Sequence, residues 1–140
     1  MPADFFIDTR LGIVFSKATN VLAMADALDH MDRLERDPEF RPEFNQLIDF
    51  RQTSAVVLSH DEIRRLASRK IFGPRSRRAF VVPGDFEYGL ARIFATYRDM
   101  QGESGIMIFR DMEKALAWLA LSAEPSAALF PRLTRSASLA

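Results

Sequence analysis

Apolar and polar positions change period several times along the chain, and each change marks an element. Phe5-Phe6-Ile7 and Gly12-Ile13-Val14-Phe15 are short β-prone runs with Asp8-Thr9-Arg10 between them, which predicts an antiparallel hairpin. Met24, Ala27, Leu28, Met31 and Leu34 then recur at helical spacing, with Asp26, Asp29, Asp32, Arg33 and Glu35 on the other faces. That helix should end at Asp37, because the residue before Pro38 is biased away from helix. Leu47, Ile48 and Phe50 around Asp49 make a run short enough for a buried strand, followed by a polar crossing and a short apolar run. Ser59, with Glu62 three residues on, forms a capping box that opens a helix with Ile63, Leu66 and Ala67 inward. Gly73-Pro74 breaks it, and Ala79 to Val82 is the next buried strand.

Pro83-Gly84-Asp85 reads as a turn that supplies an N-cap to a helix with Phe86, Leu90, Ile93, Phe94 and Tyr97 on one stripe. Gly89 inside it costs about 1 kcal/mol against Ala, which predicts a close neighbour there. Gly102 ends the helix, Ile106 to Phe109 is the last strand, and Asp111 caps a final helix carrying Met112, Ala115, Leu116 and Leu119, with Trp118 at its flank. The order ββαβαβαβα predicts one α/β domain: a mixed, mostly parallel five-stranded sheet with right-handed crossovers, flanked by helices. Leu47–Phe50, Phe80–Val82 and Ile106–Phe109 should lie side by side and parallel. The domain is expected over residues 1–121. Residues 122–140, with Pro125, Pro131 and four serines, read as a tail outside the sheet in which Ala127 to Phe130 would dock on the body or on a partner.

A family resemblance rests on three stretches. The hairpin ends in Gly12-Ile13-Val14, Asp37-Pro38-Glu39-Phe40 precedes Leu47-Ile48-Asp49-Phe50, and the domain closes on Phe109-Arg110-Asp111-Met112-Glu113-Lys114-Ala115-Leu116-Ala117-Trp118-Leu119. Over residues 5–121 the chain resembles the SpoIIAA-like proteins of the STAS and SEC14-like group. The resemblance implies a mixed sheet flanked by helices and a mostly uncharacterised, non-enzymatic family. STAS anti-sigma-factor antagonists carry a phosphorylatable serine in an Asp-Ser-Ser-Gly turn that opens a helix after the third strand. Ser59 falls at that place as a possible phosphosite, although its neighbours Val57, Leu58 and His60 do not form the motif.

Composition narrows the chemistry. The 140 residues are 48% hydrophobic and 27% charged, ordinary globular values, and long enough for a core without staples. The absence of cysteine removes disulfides, thiol nucleophiles and thiolate metal sites. With no leader pattern and no apolar run near the ~20 residues of a membrane helix, a soluble cytoplasmic domain is expected. Ser59-His60-Asp61 names the residue types of a hydrolase triad, but consecutive residues at a helix start point ~100° apart and cannot converge. Asp26, Asp29 and His30 lie on neighbouring helix faces, where a solvated acidic surface is a better reading than a metal site. Nucleotide-binding glycine motifs are missing. No enzyme, no metal and no cofactor are expected.

Charge, though neutral in sum, is segregated. Ile63 to Gly84 holds seven bases and no acid, while Asp26 to Asp49 holds eight acids against three arginines. Arg75, Arg77 and Arg78 would form a basic patch able to orient a partner or hold an anionic headgroup. Aromatic residues hardly interleave with these bases, so nucleic acid is not expected. A second surface follows from topology, since ligands of open α/β sheets sit beyond the carboxyl ends of parallel strands. Asn20, Arg51 to Ser59, Pro83 to Asp85, and Arg110 with Asp111 belong there. Arg51, Ser59, Asp85 and Arg110 are the expected anion-binding residues, unless the arginines pair with local acids such as Asp49 or Asp111. The leading expectation is a non-catalytic STAS-like regulatory or protein-interaction domain, self-associating or binding a protein. The alternative, suggested by twelve phenylalanines and six methionines, is a carrier or sensor of a small amphipathic, lipid-like or anionic ligand.

Overall fold

The structure is a computed structural model describing residues 2–121. The tail expected over 122–140 lies outside the described residues. Five strands and four helices follow one another as β1 (Ala3–Asp8), β2 (Ile13–Ala23), α1 (Met24–Arg36), β3 (Asn45–Val57), α2 (His60–Ala67), β4 (Arg78–Val81), α3 (Asp85–Met100), β5 (Ile106–Phe109) and α4 (Met112–Trp118). The sheet runs β1-β2-β3-β4-β5, with only the β1–β2 hairpin antiparallel. Leu47 to Asp49 pair with Ala79 to Val81, and Ala79 to Val81 with Met107 to Phe109, all parallel, as the pattern predicts.

Alternation along the strands sorts side chains between two faces. Ile13, Phe15, Leu47, Ala79 and Val81 meet Ala115 and Leu116 of α4 and its C-cap residue Leu119. The opposite face carries Val14 against Leu34 and Phe72, and Phe80 and Val82 against Ala91. Helices α1, α2 and α3 therefore share one side of the sheet and α4 covers the other.

The caps explain where the helices begin and end. Ser59 Oγ accepts from Glu62 N–H (3.1 Å) while Glu62 reaches back to Ser59 N–H (3.0 Å), the predicted reciprocal box. Asp111 accepts from the N–H groups of Glu113 and Lys114. Asp37 is the C-cap of α1. Asp85 does not cap α3: the N-cap is Gly84, and Asp85 is already the first helical residue. Gly102 follows α3 at φ +98, a left-handed conformation that glycine adopts without a Cβ clash.

Two strands are longer than the hydrophobic pattern predicts. β2 continues to Ala23 and β3 to Val57, so the expected polar crossing after Phe50 is strand. The register shifts once between Lys17 and Thr19 and again between Asn20 and Val21, so that Thr19 to Ala23 pair with Gln52 to Val57, with Asn20 at φ +58. A two-stranded ribbon thus projects past the end of β4. Two expectations about α3 also fail. Phe86 is 63% exposed rather than on the inner stripe. Gly89 faces solvent, with nothing within 4 Å of an added Cβ. Its glycine serves no packing role, so Gly89→Ala is expected to stabilise the domain by about 1 kcal/mol in urea denaturation.

Candidate functional site

The row of residues that strand alternation turns toward α1–α3 begins polar and becomes apolar. On β3 it reads Gln46, Ile48, Phe50, and on β4 and just past its end it reads Arg78, Phe80, Val82. Gln46 and Arg78 are direct register partners. Between this face and the three helices lies a cavity of about 130 Å³, close to the ~150 Å³ that admits a benzene-sized guest in an apolar protein interior. Its walls are almost entirely apolar: Leu22, Met31, Ile48, Phe50, Phe80 and Leu90 are among them. The inner end is set by buried Gln46, His30 and Arg78. Half-exposed Leu58, Glu87 and Leu90 mark the outer end.

The polar end is one continuous hydrogen-bond chain. Arg78 Nε donates to Gln46 Oε1 (3.0 Å), which directs the Gln46 amide N–H onto Ser16 Oγ (3.2 Å), and Ser16 Oγ meets His30 Nε2 at 3.0 Å. In the other direction Arg78 Nη1 donates to both Glu103 oxygens (3.1 and 3.2 Å). Glu103 also accepts from Arg98 Nε (2.8 Å), and Arg98 Nη1 closes on the Ala67 carbonyl (2.8 Å). Among the described residues no polar side-chain atom is both buried and unpartnered. The network therefore satisfies the condition under which buried polar groups are tolerated.

Electrostatics follow from this burial. The His30 pKa is pushed down to about 4, first by desolvation, then by the Arg33 and Arg78 charges, with Asp29 opposing. His30 is neutral at pH 7. Desolvation likewise pulls Arg78 below the ordinary arginine value, and Glu103 is the group that opposes it. Ser16 and His30 are not poised as a nucleophile and its base. Ser16 does not line the cavity, and a base so far below neutrality is a weak proton acceptor.

The residues expected to form sites are placed elsewhere. Arg78 is 8% exposed and leaves the proposed basic patch, because it occupies the first inward position of β4. Arg77 lies over Trp118 at 5.3 Å and donates to its carbonyl, whereas Arg75 is exposed. Arg51 is a strand residue bound by Asp49 at 3.0 and 3.1 Å. Its pKa is raised by that hydrogen bond, against desolvation, with the charges of Asp49 and Asp111 adding to the rise. Arg110 pairs with Asp85 at 2.5 Å and lies 5.0 Å over Tyr88. Both arginines thus have local acids, and neither they nor Ser59 lines the cavity. His60 bonds Tyr97 and Asp61 bonds Arg64, so the Ser59-His60-Asp61 trio diverges.

Asp26 accepts from Ala23 N–H and Asp29 from Arg33, while His30 turns inward, so these three do not converge. Among the described residues no cluster of three or more His, Cys, Asp or Glu side chains could hold a metal. The segregated charges meet inside the chain, where Arg69 of the basic stretch pairs with Asp32 (2.6 Å) and Glu35 of α1. Among the described residues no helix is long and apolar enough to cross a membrane.

No protein-family model and no curated protein matches the sequence. A solved structure does. An uncharacterised protein of the DUF3478 family from Shewanella loihica PV-4, with a SpoIIAA-like fold, superposes with a TM-score of 0.56 at 21% identity, over 84% of this chain and 93% of that one. At that identity the likeness establishes the fold: this domain is an α/β sheet-and-helix structure of SpoIIAA-like fold.

Proposed function

We propose that this SpoIIAA-like domain is a non-catalytic carrier or sensor that takes a small amphipathic molecule into the cavity between the sheet and α1–α3. The cavity itself carries the reading: a space of about 130 Å³ with apolar walls and a few convergent polar groups at its buried end. Concave, mostly apolar pockets with a few fixed polar groups are where proteins hold small ligands. The paired arginines at the strand ends and the caps at the helix starts are engaged within the fold. The buried Arg78–Gln46–His30 end is thus the place where a polar head would be recognised.

Octanol, a neutral probe, is expected to raise the thermal unfolding midpoint in a concentration-dependent way, by mass action on the folded state. Ala91 lines the cavity and is buried, so Ala91→Phe should fill the space and abolish that shift while keeping a native circular dichroism spectrum. No shift in the intact protein, together with nothing recovered by organic extraction, would remove the reading.

A second reading, docking of a protein partner or a second copy, is favoured by the β2–β3 ribbon. Gln52 to Val57 pair with β2 alone among the described residues, and Val21 and Val57 there are 49% and 57% exposed. Unpaired strand edges are templates for added strands. A monomer in native mass spectrometry and an empty pull-down would argue against it.

A further inference from the structure

The buried end of the cavity is unbalanced in charge. Arg78, Arg98 and Glu103 are all buried, and the two guanidinium groups share one carboxylate. Two positive charges therefore stand against one negative charge in a low-dielectric region, where an uncompensated ion is costly. Arg98 donates through Nη1 to the Ala67 carbonyl and the Gln101 side chain and does not line the cavity. Arg78 does.

Phe72 lies 4.3 Å from the centre of the Arg78 guanidinium, with Phe80 at 5.5 Å and Phe94 at 5.7 Å. These rings favour a cation but accept no conventional hydrogen bonds from it. Of its donors, Nε is taken by Gln46 and Nη1 by Glu103, and Nη2 has no hydrogen-bond partner among the described residues. Because no described polar side-chain atom is both buried and unpartnered, Nη2 must border open space, and the space that Arg78 lines is the cavity. Among the described residues the only acid lining the cavity is Glu87 in the first turn of α3, half-buried at the outer end and within reach of screening water.

Resting on the reading of the cavity as a ligand site, we propose that the ligand is a short-chain carboxylate whose head accepts from Arg78 Nη2 and supplies the missing counter-charge. Its chain would lie along Ile48, Phe50, Phe80, Val82 and Leu90. The enclosed volume suits about six carbons, by comparison with the benzene-sized guest of a ~150 Å³ cavity, so the end of an eight-carbon chain would reach the half-buried outer end at Leu58 and Leu90. One open donor and one unmatched charge fit a monoanion. A phosphate monoester would bring a second charge into an apolar space, and an ammonium head would meet Arg78 directly.

The test is calorimetric titration of the intact protein at pH 7.5 with octanoate, octanol, octylammonium and octyl phosphate, which share one chain length. Octanoate is expected to bind at least about tenfold tighter than octanol, as a charge-assisted hydrogen bond in a buried site requires. Octylammonium and octyl phosphate should both bind more weakly than octanoate. Arg78→Met should bring octanoate down to the octanol level without weakening octanol.

Equal affinity for octanoate and octanol in the unmodified protein would overturn the carboxylate assignment and leave the cavity reading standing. Octyl phosphate binding as tightly as octanoate would overturn it in the same way. If none of the four probes binds, the cavity reading falls and this one with it. The unmodified protein decides among these outcomes even if Arg78→Met does not fold.

Discussion

Glu103→Gln is expected to destabilise the domain by about 3–5 kcal/mol, the cost of stripping the partner from buried charge. The replacement is nearly isosteric, so no cavity opens and the loss is electrostatic. Glu103 is 2% exposed and, among the described residues, is the one carboxylate bonded to Arg78 and Arg98. Its removal leaves two buried guanidinium groups whose remaining partners are the neutral oxygens of Gln46, Ala67 and Gln101. A glutamine would also present an N–H₂ to donors on at least one side. Against a whole-domain stability of about 5–15 kcal/mol, that loss decides whether the protein folds at 37 °C. Urea denaturation at pH 7 measures it, and a change below about 1 kcal/mol would mean that water reaches the triad.

The complementary change separates stability from recognition. Replacing all three members together (Arg78→Met, Arg98→Met and Glu103→Leu) removes the charges as well as their bonds. Such swaps are often neutral or stabilising, because desolvating ions offsets what their pairing returns. The triple variant should therefore recover most of the stability lost in Glu103→Gln. A triad that is dispensable for folding yet keeps one guanidinium nitrogen free toward an apolar cavity is better explained by what it binds than by what it holds together.

The sheet was legible because a buried strand leaves a mark that does not depend on its neighbours. Phe80-Val81-Val82 and Ile106 to Phe109 are short, apolar and bounded by turn residues, and both run parallel where the alternation of elements places them. The extensions of β2 and β3 left no such mark. Thr19, Asn20, Gln52 and Ser54 are partly or fully exposed, and two register shifts break the alternation on which a strand reading depends. The polar end of the cavity was hidden for another reason. Charge counted along a window cannot tell inward from outward and so groups Arg78 with Arg75 and Arg77. Parity separates them: Arg78, Phe80 and Val82 are spaced by two, so an inward Phe80 takes Arg78 with it. Glu103 offered no local signal at all. Its role depends on Arg78, 25 residues away, and on Arg98 across the turn after α3.

His30 makes the same buried network sensitive to acid. Its folded-state pKa of about 4 lies below the ordinary 6.5, with desolvation as the main cause and Arg33 and Arg78 adding to it. As pH falls through 6.5, the unfolded chain takes up a proton that the folded chain refuses. The stability contributed by neutral His30 is therefore complete above that value and declines progressively toward pH 4. Roughly 2.5 units at 1.36 kcal/mol each amount to about 3 kcal/mol. Carboxylates also titrate at the acid end of this window, so the informative quantity is a difference between proteins. His30→Gln keeps a group able to meet Ser16 Oγ but cannot take up a proton, and its stability should fall less steeply between pH 6.5 and 4.5. Urea denaturation at intervals across that range should show the two curves separating by about 2–3 kcal/mol. Parallel curves would mean that His30 is solvated in the folded state. The separation would instead locate an uncharged imidazole beside Arg78, so that the cationic end of the cavity gains no further positive charge at neutral pH.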